Sequence, residues 1–585
     1  MKSKTLVVLV SVFVLASLIM TACQTATPTP APTTAAPTEA ATMAATAAAT
    51  EAATAAATTA ASNPDTIIIG TTDKVASLDA ADAYSIRDWE VIKNISDGLL
   101  KWTPGTNDLE PDLATDLGTV STDGLTYTFT LKDGIKFGDG TPLTATVYAA
   151  QLNRLLTIGP KCPDDVADTL AVPYVKSIVA PDDKTMVFTL TTPIAYFRQI
   201  LAGAPYVATD PKIFPADQCV LFPTAPVYGT GPWFVSQYNA DESMVFEPNP
   251  YYTGAYKPQV KQVIVRLYSD PSTMSLAVQS GEIDVAWRLL SPDQLDQLKN
   301  VADLKVGTIN GGRIQFLVLN HTQKPFDDPN VDKAIASAID RNEIADTVYN
   351  GEVTPLFSMD PPGYLGADEA FDTMYSSPNL DAAKKFLEAS GYSATNPVQI
   401  TLWYPPEHYG ASTAAWMEVI KKQLEATGEM QVTLSAQEWS TYASALTGGK
   451  SYGAGVLGWF FDYPDPSNYL DPFVYNRGEG TNVTLPATGS LNGNPISGPF
   501  NEKATQLLAL LEQADVELDA TKRVDEYKQA QDIYADMVVT VPLFFSAEHV
   551  VYRTNISGTA SAASPDTLNI GPNIEFYYSL LSKGK

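Results

Sequence analysis

The sequence predicts an α/β body. Short β-branched or alternating runs interleave with amphipathic helical runs along residues 64–585, and neither a repeat nor a second linker interrupts them. At 585 residues the chain is long enough for several cores. Hydrophobic residues make up 45% of it, with 8 Trp, 28 Tyr and 21 Phe, so the body has the apolar material to fold. The net charge of −29 argues against nucleic acid as a partner, because phosphates demand a basic surface. Three His and three Cys are a poor basis for a Cys/His metal enzyme, and neither metal nor cofactor is expected.

Taken in order, residues 1–22 read as a signal peptide. Lys2 and Lys4 precede the uncharged run Thr5–Met20, which is shorter than the roughly twenty residues of a spanning helix. Met20-Thr21-Ala22-Cys23 then resembles the lipobox of bacterial lipoproteins, with Met20 in place of the usual Leu. That resemblance implies lipidation at Cys23 and a body held at a membrane outside the cytoplasm, in a periplasm or at a cell surface. Residues 23–63 hold that cysteine and an Ala/Thr/Pro-rich tether, with Glu39 and Glu51 its only charges. It has no apolar stripe to bury, so it spans roughly 35 Å as a flexible chain. The remaining cysteines, Cys162 and Cys219, form an even pair in an oxidising setting, which favours a disulfide over two buried thiols.

In the body, Thr66–Gly70 reads as a buried strand and Leu125–Leu131 as an alternating strand, with Lys132-Asp133-Gly134 as a hairpin signal. Met186–Leu190 is a further strand, and Ala454–Trp459 another, stopped by Pro464 and Pro466. Helical patterns cover Thr144–Leu156, Val331–Val348, Leu380–Ser390 and Lys522–Met537, the third ending before a capping Gly391.

Local motifs then accumulate in a telling order. They are Asp123–Leu131 (DGLTYTFTL), Ile135–Leu143 (IKFGDGTPL), Gly229–Trp233 (GTGPW) and Ser280–Asp284 (SGEID). Pro325–Val331 (PFDDPNV) with Ala338–Arg341 (AIDR), Gly458–Pro466 (GWFFDYPDP) and Val541–Phe545 (VPLFF) follow. The set resembles the family 5 extracellular solute-binding proteins, the peptide- and nickel-binding components of ABC importers, over about residues 65–580. The resemblance implies a two-lobed periplasmic-binding-protein type II fold with an extra subdomain on lobe one. Lobe one then takes residues 64–110, 225–312 and 546–585, the extra subdomain 111–224, and lobe two 313–545.

The same resemblance implies a ligand site. Asp462 matches the carboxylate that pairs with a peptide α-amino group, beside Trp459, while Gly458 and Phe460 match main-chain pairing positions. The competing reading is that Asp462 and Asp465 only cap a turn. Ser77-Leu78-Asp79 followed by Tyr84 and Ile86 matches a segment that closes on the ligand from the other lobe. Longer-peptide binders carry an Arg where Val456 stands here, and Leu402–Gly410 offers only His408 as a basic group for a ligand carboxylate. The carboxylate end is therefore solvated, or the ligand is not a peptide. Trp403, Tyr404, Trp439 and Trp459 would stack on sugar rings if it were an oligosaccharide.

Gly449-Lys450-Ser451-Tyr452-Gly453 fits the nucleophile-elbow pattern, but helix-like residues precede it and strand-like ones follow, the reverse of what a serine hydrolase needs. No phosphate-cradling loop occurs, so ATP hydrolysis belongs to a partner. The resulting expectation is a monomeric, non-catalytic lipoprotein that captures a peptide or other small solute. It hands the solute to a membrane permease and, through it, to the ATPase subunits.

Overall fold

Thr66–Thr71 forms the first strand, β1, and all of it is buried, as a β-branched run flanked by turn formers requires of a strand covered on both faces. The computed structural model describes residues 63–585 except 165, 322, 407, 411, 440, 444–451, 475–500, 559–569, 572–574 and 585. Cys23, the signal and tether segments and residues 449–451 of the elbow-like pattern lie outside the described residues. No described helix is long and apolar enough to cross a membrane.

One sheet of eleven strands organises the body. After β1 come β2 (Trp233–Asn239), β3 (Ser243–Pro248), β4 (Gln262–Leu267), β5 (Val285–Trp287) and β6 (Leu304–Leu319). These are followed by β7 (Val353–Pro355), β8 (Val398–Tyr404), β9 (Met430–Ala436), β10 (Ala454–Trp459) and β11 (Thr540–Arg553). The order across the sheet is β9-β8-β10-β6-β11-β5-β1-β4-β3-β2, with β7 added to β11. β1 runs parallel to β4 and β5, and β8 runs parallel to β9 and β10, so each flank has a parallel core.

The long strands β6 and β11 join the flanks. Leu304–Asn310 pairs with Ala547–Arg553, and Arg313–Val318 with Thr540–Ser546. Between these stretches the register shifts at Gly311-Gly312. Gly312 is left-handed (φ 66°), and a Cβ there would collide with the Phe461 ring, so conformation and space both demand glycine.

Separate hydrophobic cores flank this junction. One is built from residues between Ile314 and Phe545, under helices that include Pro329–Ala338, Thr413–Glu425 and Ala520–Met537. A second packs around Ile67, Trp233 and Trp287. A third surrounds Trp102, Tyr148 and Phe188 and reaches back to Ala80. It lies against a four-stranded antiparallel sheet built from Thr119–Val120, Thr126–Thr130, Val175–Val179 and Thr185–Leu190.

Two local expectations are corrected. Lys132–Gly134 closes no hairpin: Thr126–Thr130 pairs instead with Thr119–Val120 and with Thr185–Leu190. The Lys132 N–H donates to the Leu113 carbonyl, and Ile135–Leu143 folds on itself through Leu143 N–H to Ile135 O at 3.0 Å. The chain is thereby redirected into helix Ala145–Thr157, capped by Thr144. Val331–Val348 is two helices, not one. Ile339 and Asp340 are extended, and the Asp340 carboxylate caps a new helix by accepting the Asn342 and Glu343 N–H groups. A periodic run with an internal Asp can thus restart rather than continue.

Cys162 and Cys219 are joined as a disulfide with their Cα atoms 5.8 Å apart. Beside it, Arg154 donates to the Pro215 and Gln218 carbonyls, both at 2.7 Å, so the segment before Cys219 is anchored twice.

Candidate functional site

The end of β10 sets the site. β10 lies antiparallel to β6, with Gly458 opposite Gln315 and Trp459 opposite Ile314. β10 ends at Trp459, residues 460–465 turn the chain, and helix Pro466–Val474 follows, with Pro464 and Pro466 disfavouring a return to strand pairing. The two carboxylates in this turn have different work. Asp465 accepts the Ser467 N–H (3.0 Å) and hydroxyl (2.8 Å) and is held bidentately by Arg523 at 2.7 and 2.6 Å, which fixes the turn.

Asp462, only 7% exposed, faces the other half of the chain. Its carboxylate accepts from the Asn468 amide at 3.2 Å and from the Tyr84 hydroxyl at 3.3 Å. Its N–H donates to Asn468 Oδ1 (2.8 Å), which also receives the Trp459 indole N–H at 3.3 Å. Burial pushes the Asp462 carboxyl up to about 6, against the pull of the Asn468 and Tyr84 hydrogen bonds. Burial and the Asp462 charge raise the Tyr84 hydroxyl well above its ordinary value, which keeps it a donor.

Tyr84 and Ile86 flank Ser85, the N-cap of helix Ile86–Ile95. Ile86 and Phe460 pack against the same core, the one around Ile67 and Trp287. The Asp79 of the Ser-Leu-Asp stretch is fully buried and clamps Arg154, so it holds the turn that presents Tyr84.

The structure therefore brings Tyr84, Ile86, Phe460 and Asp462 together. It places Trp403 and His408 in a row of rings instead. Trp403 stacks on Tyr452 (4.4 Å between centroids), Tyr452 on Tyr442 (5.4 Å), and His408 lies flat on Trp439 at 3.6 Å. Tyr409 meets the His408 ring edgewise at 4.6 Å and reaches Gly458, where a Cβ would lie 2.8 Å from it. Val456 is fully buried opposite Leu317, so no cation is available at that place. Asn468, Arg523 and Tyr409 carry no sequence signal that marks them for this site, since only the fold brings them to Asp462 and Gly458.

A family model described as "Bacterial extracellular solute-binding proteins, family 5 Middle" matches residues 108–481. The chain is 26% identical over 502 residues to the probable D,D-dipeptide-binding periplasmic protein DdpA of Escherichia coli, covering 84% of this chain and 91% of that protein. It is 28% identical over 469 residues to the oligopeptide-binding protein OppA of Bacillus subtilis, covering 75% and 80%. Among solved structures, it resembles the ABC transporter-associated periplasmic binding protein DppA of Helicobacter pylori in complex with the peptide STSA. The TM-score is 0.69 at 22% identity, over 89% of this chain and 98% of that one. The mixed α/β architecture is that of the two-lobed periplasmic binding proteins.

Proposed function

The chain belongs to the bacterial extracellular solute-binding proteins of family 5, and from that premise we propose that it is the receptor of an ABC importer for short peptides. The ligand is held between lobe one (64–110, 225–312 and 546–585, with 111–224 as an extra subdomain) and lobe two (313–545), then passed to a permease. The protein itself is non-catalytic.

The observation that supports this most is the Asp462–Tyr84 contact. A carboxylate buried at a strand end, met by a donor from a segment 378 residues away, suits an α-ammonium ligand taken between two lobes. The similarity to an oligopeptide-binding protein and to a probable D,D-dipeptide-binding protein points the same way. The ring row favours sugar stacking less, because Tyr452 covers one face of Trp403 and His408 covers one face of Trp439.

Calorimetry on the full chain with a panel of di- to tetrapeptides, each with a free and an acetylated N-terminus, tests this. Acetylation is expected to weaken binding roughly 30-fold or more, since it leaves Asp462 without its cation. Equal binding of the two forms rejects the amine anchor, and binding of an oligosaccharide but no peptide supports the other ligand class.

Lipidation at Cys23 is part of the proposal. Cys23→Ser should abolish incorporation of radiolabelled lipid and release the protein from the membrane fraction. Unchanged labelling would refute it.

A further inference from the structure

Tyr84 reaches Asp462 from the end of a stretch, residues 73–85, that lies between β1 and helix Ile86–Ile95 and belongs to neither helix nor strand. A hydroxyl carried by such a stretch keeps its place only if the backbone leading to it is fixed from outside. At 3.3 Å the Tyr84–Asp462 bond is already long for an O–H donor, so a small displacement of this arm breaks it.

The two cysteine-bearing segments supply that fixing. On the Cys219 side, the Val220 N–H donates to the Asp79 carboxylate at 2.9 Å, and the Leu78 N–H donates to the Leu221 carbonyl at 2.7 Å. On the Cys162 side, the Asp164 N–H donates to the Asp82 carboxylate at 3.1 Å. Gly159 packs so closely there that a Cβ on it would lie 3.1 Å from the Ala81 carbonyl oxygen. Residues 78–82 are thus gripped between two segments, and the Cys162–Cys219 disulfide is the covalent bond that joins them.

The grip extends to the hydroxyl itself. Helix Val166–Leu170 follows Cys162, and its Thr169 side chain hydrogen-bonds the Tyr84 oxygen while the Tyr84 hydroxyl donates to Asp462. Behind the ring, the Trp89 indole N–H donates to the Ala83 carbonyl at 2.8 Å, and the Tyr84 and Trp89 rings lie 5.7 Å apart. Contacts therefore run from both halves of the disulfide to the one donor that crosses to Asp462.

We propose that the Cys162–Cys219 disulfide is a positioning element of the ligand site: it holds Tyr84 against Asp462, so that the affinity for peptide depends on its being closed. This rests on the peptide reading above. The role is separate from the general stability that a disulfide lends, because the bond acts on a single hydroxyl through the contacts of Asp79, Asp82 and Thr169.

The test is a double-mutant cycle on the full chain, read by calorimetry with the tightest-binding member of the di- to tetrapeptide panel. Tyr84→Phe, and separately Cys162→Ser with Cys219→Ser, are each expected to weaken binding about tenfold, the worth of one hydrogen bond to a charged group. Combined, these substitutions should weaken it by little more than about tenfold, because the hydroxyl that one removes and the other misplaces is the same. A loss of about a hundredfold in the combination overturns the assignment, since the disulfide would then act elsewhere, as a purely structural bond does. Wild-type affinity in Tyr84→Phe or in the cysteine variant also overturns it and leaves the Asp462 anchor standing. If the cysteine variant does not fold, Asp82→Ala takes its place in the cycle with the same outcomes, because it frees the arm from the Cys162 segment while keeping the disulfide. Failure of the wild type to bind any peptide of the panel overturns both readings.

Discussion

Asp79→Ala is expected to destabilise the protein by about 3–5 kcal/mol, measured by urea unfolding. The Asp79 and Arg154 side chains are 0% and 2% exposed. The carboxylate takes two guanidinium bonds at 2.7 and 2.6 Å and also accepts the Ala81 and Val220 N–H groups at 3.0 and 2.9 Å. Truncation strands a buried cation and leaves two backbone donors unmet. Because Arg154 also holds the segment before Cys219, the damage spreads to the disulfide loop. Replacing both partners by apolar residues, Asp79→Leu with Arg154→Met, should recover much of the loss, since no charge is then left alone. A change below about 1 kcal/mol in the single variant would show that the pair is not the clamp its burial implies.

Asp462→Ala is expected to weaken peptide binding by about 2–5 kcal/mol, roughly 30-fold or more. Removing the carboxylate leaves the ligand ammonium buried against Asn468 and Tyr84, neutral groups that cannot balance its charge. Lobe closure should be lost in parallel, because the ligand supplies the differential affinity for the closed state. A pH dependence follows with a definite sign. The Asp462 carboxyl is raised to about 6, and only its ionised form attracts an ammonium, so affinity should fall as pH drops through 6. In Asp462→Ala that dependence should vanish. Calorimetry at several pH values that found wild-type affinity unchanged between pH 7 and 5 would remove Asp462 from the recognition step.

Much of the architecture was legible because it is encoded over short distances. The β-branched run at Thr66 and the alternation at Leu125 each specify their strand within a few residues. Gly391, left-handed at φ 82°, ends its helix where a C-cap glycine should. The ordered motifs led to the family that the match over residues 108–481 shows. Where local signals competed, the local reading was wrong. The Lys132–Gly134 turn was overruled by backbone pairing to Leu113, and Asp340 restarted a helix that the periodicity alone would have carried through.

The sequence by itself determined the fold class, the family and the strand-end carboxylate at Asp462, because propensity, periodicity and contiguous motifs are properties of neighbouring residues. Only the tertiary structure decided what meets what. Tyr84 meets Asp462 across 378 residues, and Asp79 turns out to clamp Arg154. Those relations depend on how β6 and β11 pair and on the two irregularities that shift their register. A register is a sum of many weak contacts between distant segments, each too small to be read from either segment alone.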